Sequence, residues 1–127
     1  MKTAVLALAV LAAPAGAQTV DCTRAVAQME LNFCAEQEWQ AADRQLNAAY
    51  GAAMAALKAV DRANAAAPSE AERLKKAQRA WIAYRDLACE SEGYAMRGGS
   101  AEPLLIYGCL ARLTESRTQD LRLMIQN

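Results

Sequence analysis

The sequence predicts an all-α fold: an antiparallel bundle of three main helices with a short N-terminal helical segment, stapled by two disulfides. Apolar residues recur at three- and four-residue steps along three long stretches, as they do on the buried face of a helix. Glycine and proline are scarce within those stretches, and no segment shows the alternation of a half-buried β-strand. Four cysteines accompany an N-terminal export signal, which favours oxidised pairs.

Residues 1–17 have the pattern of a secretory signal peptide. Lys2 is the only charge in this segment, an apolar run follows it, and Ala15 and Ala17 supply the small residues of an A-x-A cleavage site. The apolar run is shorter than the ~20 residues that a membrane span needs. We therefore expect cleavage after Ala17, one mature domain over residues 18–127, and a periplasmic or secreted location.

The first main helix is predicted over residues 31–63, after a short helical turn within 23–29. Its apolar stripe comprises Trp39, Ala42, Leu46, Ala49, Tyr50, Ala53, Leu57 and Val60. Residues 64–68 form a connection, and the second main helix is expected over 69–94. Ser69 is its predicted N-cap, because Glu72 stands three residues later and completes a capping box.

The second helix is predicted to bury Leu74, Ala77, Trp81, Tyr84 and Ala88. Gly98, Gly99 and Ser100 then interrupt the pattern, and the third main helix is expected over 102–125, with Pro103 in its first turn. Its inner face is predicted to carry Ile106, Leu110, Leu113, Leu121 and Met124. Trp39, Trp81, Tyr50 and Tyr84 are expected to pack in the core at this spacing.

The four cysteines allow three pairings. Cys89 and Cys109 lie equally far from Gly99, so an antiparallel helix hairpin would bring them to the same height. In one continuous helix Cys22 and Cys34 would be ~18 Å apart, whereas bridged Cα atoms lie within ~7 Å. A Cys22–Cys34 bond therefore requires the chain to fold back between them. We favour Cys22–Cys34 with Cys89–Cys109, and bonds from Cys34 to Cys89 or Cys109 remain the alternatives.

Composition argues against several functions. Loss of Lys2 from the 14 basic residues leaves 13 against 14 acidic residues, so no basic excess points to nucleic acid or to an anionic membrane. Histidine is absent, and with it the commonest metal ligand and general base. No C-x-x-C pair is present. We predict no cofactor, no metal site and no catalytic residues.

Polar residues border the apolar stripes of the first two helices: Asp43, Asn47, Gln78, Arg79, Arg85 and Asp86. We interpret them as a structural network across the helices, in which Arg79 or Arg85 pairs with Asp43 or Asp86, because an unpaired buried charge is costly. A binding role is the alternative. Catalysis by two carboxylates is the least favoured, since closely spaced helices leave no cleft.

Three segments together carry a resemblance to a known family. The first has Asp21 and Cys22, then QMELNFCA at 28–35, followed by Glu38, Ala42, Asp43, Leu46, Asn47 and Tyr50. The second is AQRAWIAYRDLAC at 77–89, and the third leads from Gly98, Gly99 and Ser100 to Cys109, Leu110, Leu113, Thr114, Arg117 and Leu121. Over nearly all of the mature chain this pattern resembles the lysozyme inhibitor LprI family, N-terminal domain type. Ala27 departs from it, since a threonine is expected there.

The resemblance implies a small exported helical domain with disulfides, which binds a protein and inhibits lysozyme. An envelope structural or stress-related interaction module without that activity is the alternative. Arg97, Gly98, Gly99 and Ser100 form the expected partner-binding segment, since Arg97 and Ser100 offer donors to the two carboxyl groups of a lysozyme cleft. The alternative is a helix-ending turn, which the glycines also explain. The oligomeric state has no signal in the sequence.

Overall fold

The computed structural model describes residues 19–126. The predicted signal peptide, residues 1–17, lies outside these described residues. Three helices contain most of the described residues. Helix α1 spans Gln28–Ala63, α2 spans Glu70–Gly93 and α3 spans Glu102–Leu123. A single turn of 3-10 helix, Tyr94–Met96, follows α2. No strand occurs within 19–126, so the predicted all-α bundle of three main helices is confirmed.

The helices run up, down and up. At one end of the bundle the Asn32 side chain of α1 donates to the backbone carbonyl of Ser100, just before α3. At the other end the Asp61 carboxylate of α1 accepts the Ser69 hydroxyl, just before α2. Because the connections are short, α2 is antiparallel to both neighbours, and α1 and α3 run in the same direction with extensive contact.

The core consists of two clusters along the bundle axis. The first is formed by Leu46, Ala49, Ala53, Leu74 and Leu121, with half-buried Tyr50, Met54, Leu57 and Trp81 around them. The second surrounds Cys89, Cys109 and Leu110, with Trp39, Ile106, Tyr107 and Leu113 against it. The many small alanines on α1 allow the other helices to approach closely. Leu121 and Ala53 are completely buried where α1 and α3 meet.

The chain before α1 differs from the prediction for 23–29. Instead of a short helix it forms one turn, in which the backbone N–H of Arg24 donates to the Asp21 carbonyl at 3.0 Å. The Asp21 side chain holds this turn, since its carboxylate accepts both the backbone N–H of Thr23 at 3.0 Å and the Thr23 hydroxyl at 2.7 Å. These two hydrogen bonds lower the pKa of Asp21. The chain can therefore reverse before α1 begins at Gln28.

Candidate functional site

Two disulfides fix the half of the bundle that carries the glycine turn. Cys22 bonds to Cys34 with a Cα separation of 5.6 Å, and Cys89 bonds to Cys109 with a Cα separation of 5.4 Å. The favoured pairing is thus confirmed, and the bonds from Cys34 to Cys89 or Cys109 do not occur. Cys89 and Cys109 are buried, whereas Cys22 is exposed. The first bond ties the N-terminal turn to α1, and the second locks α2 to α3.

The buried face of α2 is more polar than its apolar pattern indicated. Gln78 and Arg85 are only 6% and 7% exposed, whereas Tyr84, which was expected in the core, is 63% exposed. At two positions the buried residue is therefore the one after the predicted residue, Gln78 instead of Ala77 and Arg85 instead of Tyr84. Ala77 and Tyr84 face solvent because their polar neighbours occupy the inward positions. Trp81 is half-buried between the two faces.

Arg85 links all three helices. Its guanidinium lies 3.4 Å from a carboxylate oxygen of Asp43 on α1 and 2.9 Å from one of Asp86 on α2, and it donates to the Thr114 hydroxyl on α3 at 3.3 Å. The rings of Trp39 and Trp81 flank it, with centroids 5.9 and 5.2 Å from the guanidinium carbon. These contacts give the buried cation both counter-ions and cation–π partners, as its desolvation requires.

The other polar residues of the predicted network lie around this centre. The Asn47 amide donates to Asp43 at 3.1 Å, and the Gln78 side-chain oxygen accepts Arg117 Nε–H of α3 at 3.1 Å. Arg79 is exposed and forms no ion pair within the part of the chain that the structure describes. The geometry thus brings Asp43, Arg85 and Asp86 together and leaves Arg79 outside.

The glycine turn, Arg97 to Ser100, lies exposed at the end of the α2–α3 hairpin. Gly98 has a φ of +77°, a left-handed conformation that glycine adopts without strain. Its backbone N–H donates to the Glu102 carboxylate at 2.7 Å, and the Ser100 carbonyl accepts the Asn32 amide at 2.8 Å. The Arg97 guanidinium stacks over the Tyr94 ring at 5.4 Å. The turn is therefore held in place from both sides while Arg97 and Ser100 remain exposed.

Exposed apolar side chains lie at the same end of the molecule. Met29 is 81% exposed and Phe33 42% on α1, and Tyr94 is 70% exposed and Met96 50% on the 3-10 turn. We call these four residues, with Arg97 and Ser100, the loop face. The sequence pattern does not mark the four apolar residues as a surface. Met29 and Phe33 stand one helical turn apart, a spacing that also occurs on a buried face, so the sequence alone did not mark them as exposed.

Two short acidic patches flank the cysteines, Glu36 with Glu38 and Glu90 with Glu92. Glu92 is neutralised by Arg112 of α3 at 2.7 Å. Glu38 and Glu90 form no ion pair among residues 19–126, and each lines a groove between helices. The acidic charge near the disulfides is therefore only partly compensated.

These features define a class: a small three-helix bundle with two disulfides, whose described helices include none apolar and long enough to cross a bilayer. Residues 21–121 match the family described as lysozyme inhibitor LprI. The chain belongs to that family, and the resemblance predicted from the sequence is confirmed. Family membership and the disulfides both indicate an extracytoplasmic protein, and the family indicates a protein partner.

Similar proteins were found in several bacteria. The chain is 48% identical to protein R02472 of Rhizobium meliloti strain 1021, over all of this chain and 98% of that protein. It is 42% identical to YecT of Escherichia coli K12 over a shorter stretch, 47% of this chain and 38% of YecT. A crystal structure of a DUF1311 family protein, PP0307 of Pseudomonas putida KT2440, matches with a TM-score of 0.64 at 26% identity, covering 77% of this chain and 94% of that one.

Proposed function

We propose that the mature chain is a non-enzymatic protein, periplasmic or secreted, that binds a lysozyme and blocks it. The observation that carries this proposal is the match of residues 21–121 to the lysozyme inhibitor LprI family. The two disulfides support a location in an oxidising compartment. The contacts of Arg85 support a structural role for the central polar residues, because Asp43, Asp86 and Thr114 together join it to all three helices.

The loop face is the surface that we propose contacts the enzyme. A lysozyme cleft contains two carboxyl groups. Arg97 offers charge-assisted hydrogen bonds to such groups, and Ser100 offers a hydroxyl donor beside it. Tyr94, Met96 and Phe33 add exposed apolar area around these donors. Aromatic residues, methionine and arginine are the residue types enriched at protein interfaces.

The loop face is also held in position before any partner arrives. The buried Cys89–Cys109 bond joins α2 and α3 below the turn. Within the turn, the Glu102 carboxylate accepts the Gly98 N–H, and the Asn32 side chain donates to the Ser100 carbonyl. A preorganised loop loses less conformational entropy on binding, so more of the contact energy is expressed as affinity.

A turbidity assay tests the proposal. Purified mature protein is mixed with lysozyme and a suspension of bacterial cells, and the rate of clearing is recorded. The native protein is expected to slow clearing, and an Arg97→Ala/Ser100→Ala variant is expected to inhibit about tenfold less, since it lacks two polar contacts. An Arg62→Ala/Ser116→Ala variant removes the same groups from exposed positions elsewhere and serves as the matched control.

The outcomes separate the alternatives. Equal inhibition by the native protein and by a folded Arg97→Ala/Ser100→Ala variant would place the contact outside the loop face. No protection of the cells by the native protein at high molar excess would favour the envelope interaction module instead. Release of cell-wall fragments by the protein alone would contradict the non-enzymatic assignment.

A further inference from the structure

A groove between α1 and α2 lies apart from the loop face. It has a volume of about 450 Å³, within the range of small-molecule sites. Its lining consists of Asp43, Leu46, Asn47, Tyr50, Lys75, Gln78, Arg79, Ile82 and Arg85. No residue of the glycine turn contributes to it. The groove and the loop face therefore share no residue.

The groove carries an excess of positive charge in a chain whose overall charge is near zero. Asp43 is its single acidic lining residue, and it is engaged by Arg85 and by the Asn47 amide. Lys75 has only a distant, exposed partner in Glu72 at 3.4 Å, and Arg79 has no ion pair among the described residues. No acidic residue stands three or four positions from Arg79 on its own helix. Lys75 and Arg79 are therefore available to pair with an anion bound in the groove.

The Gln78 side chain beside these cations keeps one donor without a protein partner. Gln78 is 6% exposed and its side-chain oxygen accepts Arg117, yet its Nε2 group has no hydrogen bond within residues 19–126. The Nε2 atom itself is not enclosed, so this donor stays available to an acceptor oxygen bound in the groove. Leu46, Tyr50 and Ile82 provide apolar surface next to the amide and the cations. The groove thus combines a carboxylate-binding end with a surface for a ring or an alkyl group.

We infer that this groove binds a small carboxylate ligand, with Arg79 and Lys75 as counter-charges and Gln78 as an amide donor. The body of the ligand packs on Tyr50, Leu46 and Ile82. Two sources supply such chemistry, the free carboxyl terminus of a short peptide and an acidic sugar. The inference is independent of lysozyme binding, because the two surfaces share no residue.

Titration of ¹⁵N-labelled protein by NMR tests this site. The probes are N-acetyl-alanyl-alanine with its C-terminal amide, and glucuronate with glucose, so that each acid has a neutral counterpart. An acid that binds is expected to shift the side-chain amide signals of Gln78 and Asn47 in a saturable manner, and its neutral counterpart is not. The source of the ligand is then indicated by comparing the acid peptide with glucuronate. The acid that saturates the shifts at the lower concentration is the better ligand.

Two variants complete the test. Arg79→Gln is expected to weaken binding of the acid about tenfold, the effect of one lost charged hydrogen bond. Lys76→Gln removes a charge from the same helix outside the lining and is expected to leave affinity unchanged. Arg79→Gln should also leave lysozyme inhibition unchanged, which separates this site from the loop face. Equal binding of an acid and its neutral counterpart, no saturable shift with either acid, or an unaffected Arg79→Gln variant would overturn the inference.

Discussion

At the scale of single residues, α1 and α2 begin in different ways. Ser69 caps α2, because its hydroxyl accepts the Glu72 backbone N–H at 3.1 Å. Ala27 precedes α1 with an extended backbone suited to an N-cap, but its side chain has no acceptor. Glu30 partly compensates, since its carboxylate accepts the Val26 and Ala27 N–H groups, each at 3.3 Å. The departure from the family pattern at Ala27 therefore leaves one half of a capping box.

Ala27→Thr should complete that box. The new hydroxyl would accept the Glu30 backbone N–H, and we expect a gain of about 1 kcal/mol in the free energy of unfolding. Urea denaturation measures it. Ala27→Val has nearly the same shape without the hydroxyl, so it should give no such gain. Equal stabilisation by threonine and valine would show that the hydroxyl does not act as a cap.

Asp61 makes a second prediction at this scale, one that depends on pH. The Ser69 hydroxyl and then the Glu70 N–H hold the pKa of Asp61 below its ordinary 3.8. Because the folded-state pKa is the lower one, the stabilisation is present above about pH 4. It is lost as the pH falls through the folded-state pKa.

The Asp61→Asn variant tests this reasoning by thermal unfolding across a range of pH. We expect a lower Tm than the native protein at neutral pH and a difference that shrinks below about pH 4. Asp120→Asn removes an exposed carboxylate that accepts no side-chain hydrogen bond among the described residues, and it serves as the control. A Tm difference for Asp61→Asn that stays constant down to strong acid would contradict the assigned role.

At the scale of helices, Arg85 is the main polar contact between α1, α2 and α3. Replacement by alanine removes the cation between Trp39 and Trp81. It also removes the hydrogen bond that Arg85 donates to the Thr114 hydroxyl. We expect a loss of about 2–3 kcal/mol in the free energy of unfolding, less than for a fully buried pair. Asp43 and Asp86 can be solvated in the variant, because their side chains are 40% and 49% exposed.

Arg79→Ala provides the matched control, since it removes an arginine from the exposed face of the same helix. Surface changes of this kind cost within about 0.5 kcal/mol. Chemical denaturation of both variants gives the comparison. Similar losses for the two would mean that the contacts of Arg85 add nothing to the packing of the bundle.

The helices also show how far the sequence predicts the structure. On α1 the predicted stripe is buried or half-buried except at Val60, because small and apolar residues occupy every inward position. On α2 the inward positions at Gln78 and Arg85 are polar, so hydrophobic periodicity misplaced Tyr84. Polar side chains can be buried at these positions because residues of α1 and α3 supply their partners, and the sequence of α2 alone does not show those partners. The pairing of Cys89 with Cys109 was predictable from the sequence. The two cysteines lie equally far along the chain from the turn, and an antiparallel hairpin brings such positions to the same level of the bundle.

At the scale of the whole molecule, the two ends of the bundle differ. The end with the glycine turn has both disulfides nearby and exposes apolar side chains around Arg97, whereas the end with the α1–α2 connection is closed by Asp61 and Ser69. The turn itself was predictable from Gly98 and Gly99. The apolar part of the loop face was not, because the exposure of Met29 and Tyr94 depends on how the helices rotate against one another.

Direct titration of a lysozyme with the purified, oxidised protein tests the central claim. Residual clearing activity is measured against the molar ratio of the two proteins. We predict that activity falls in a saturable manner and that the Arg97→Ala/Ser100→Ala variant shifts the curve to higher ratios. Full lysozyme activity at a large excess of the native protein, for every class of lysozyme tried, would contradict the proposal that this chain is an inhibitor.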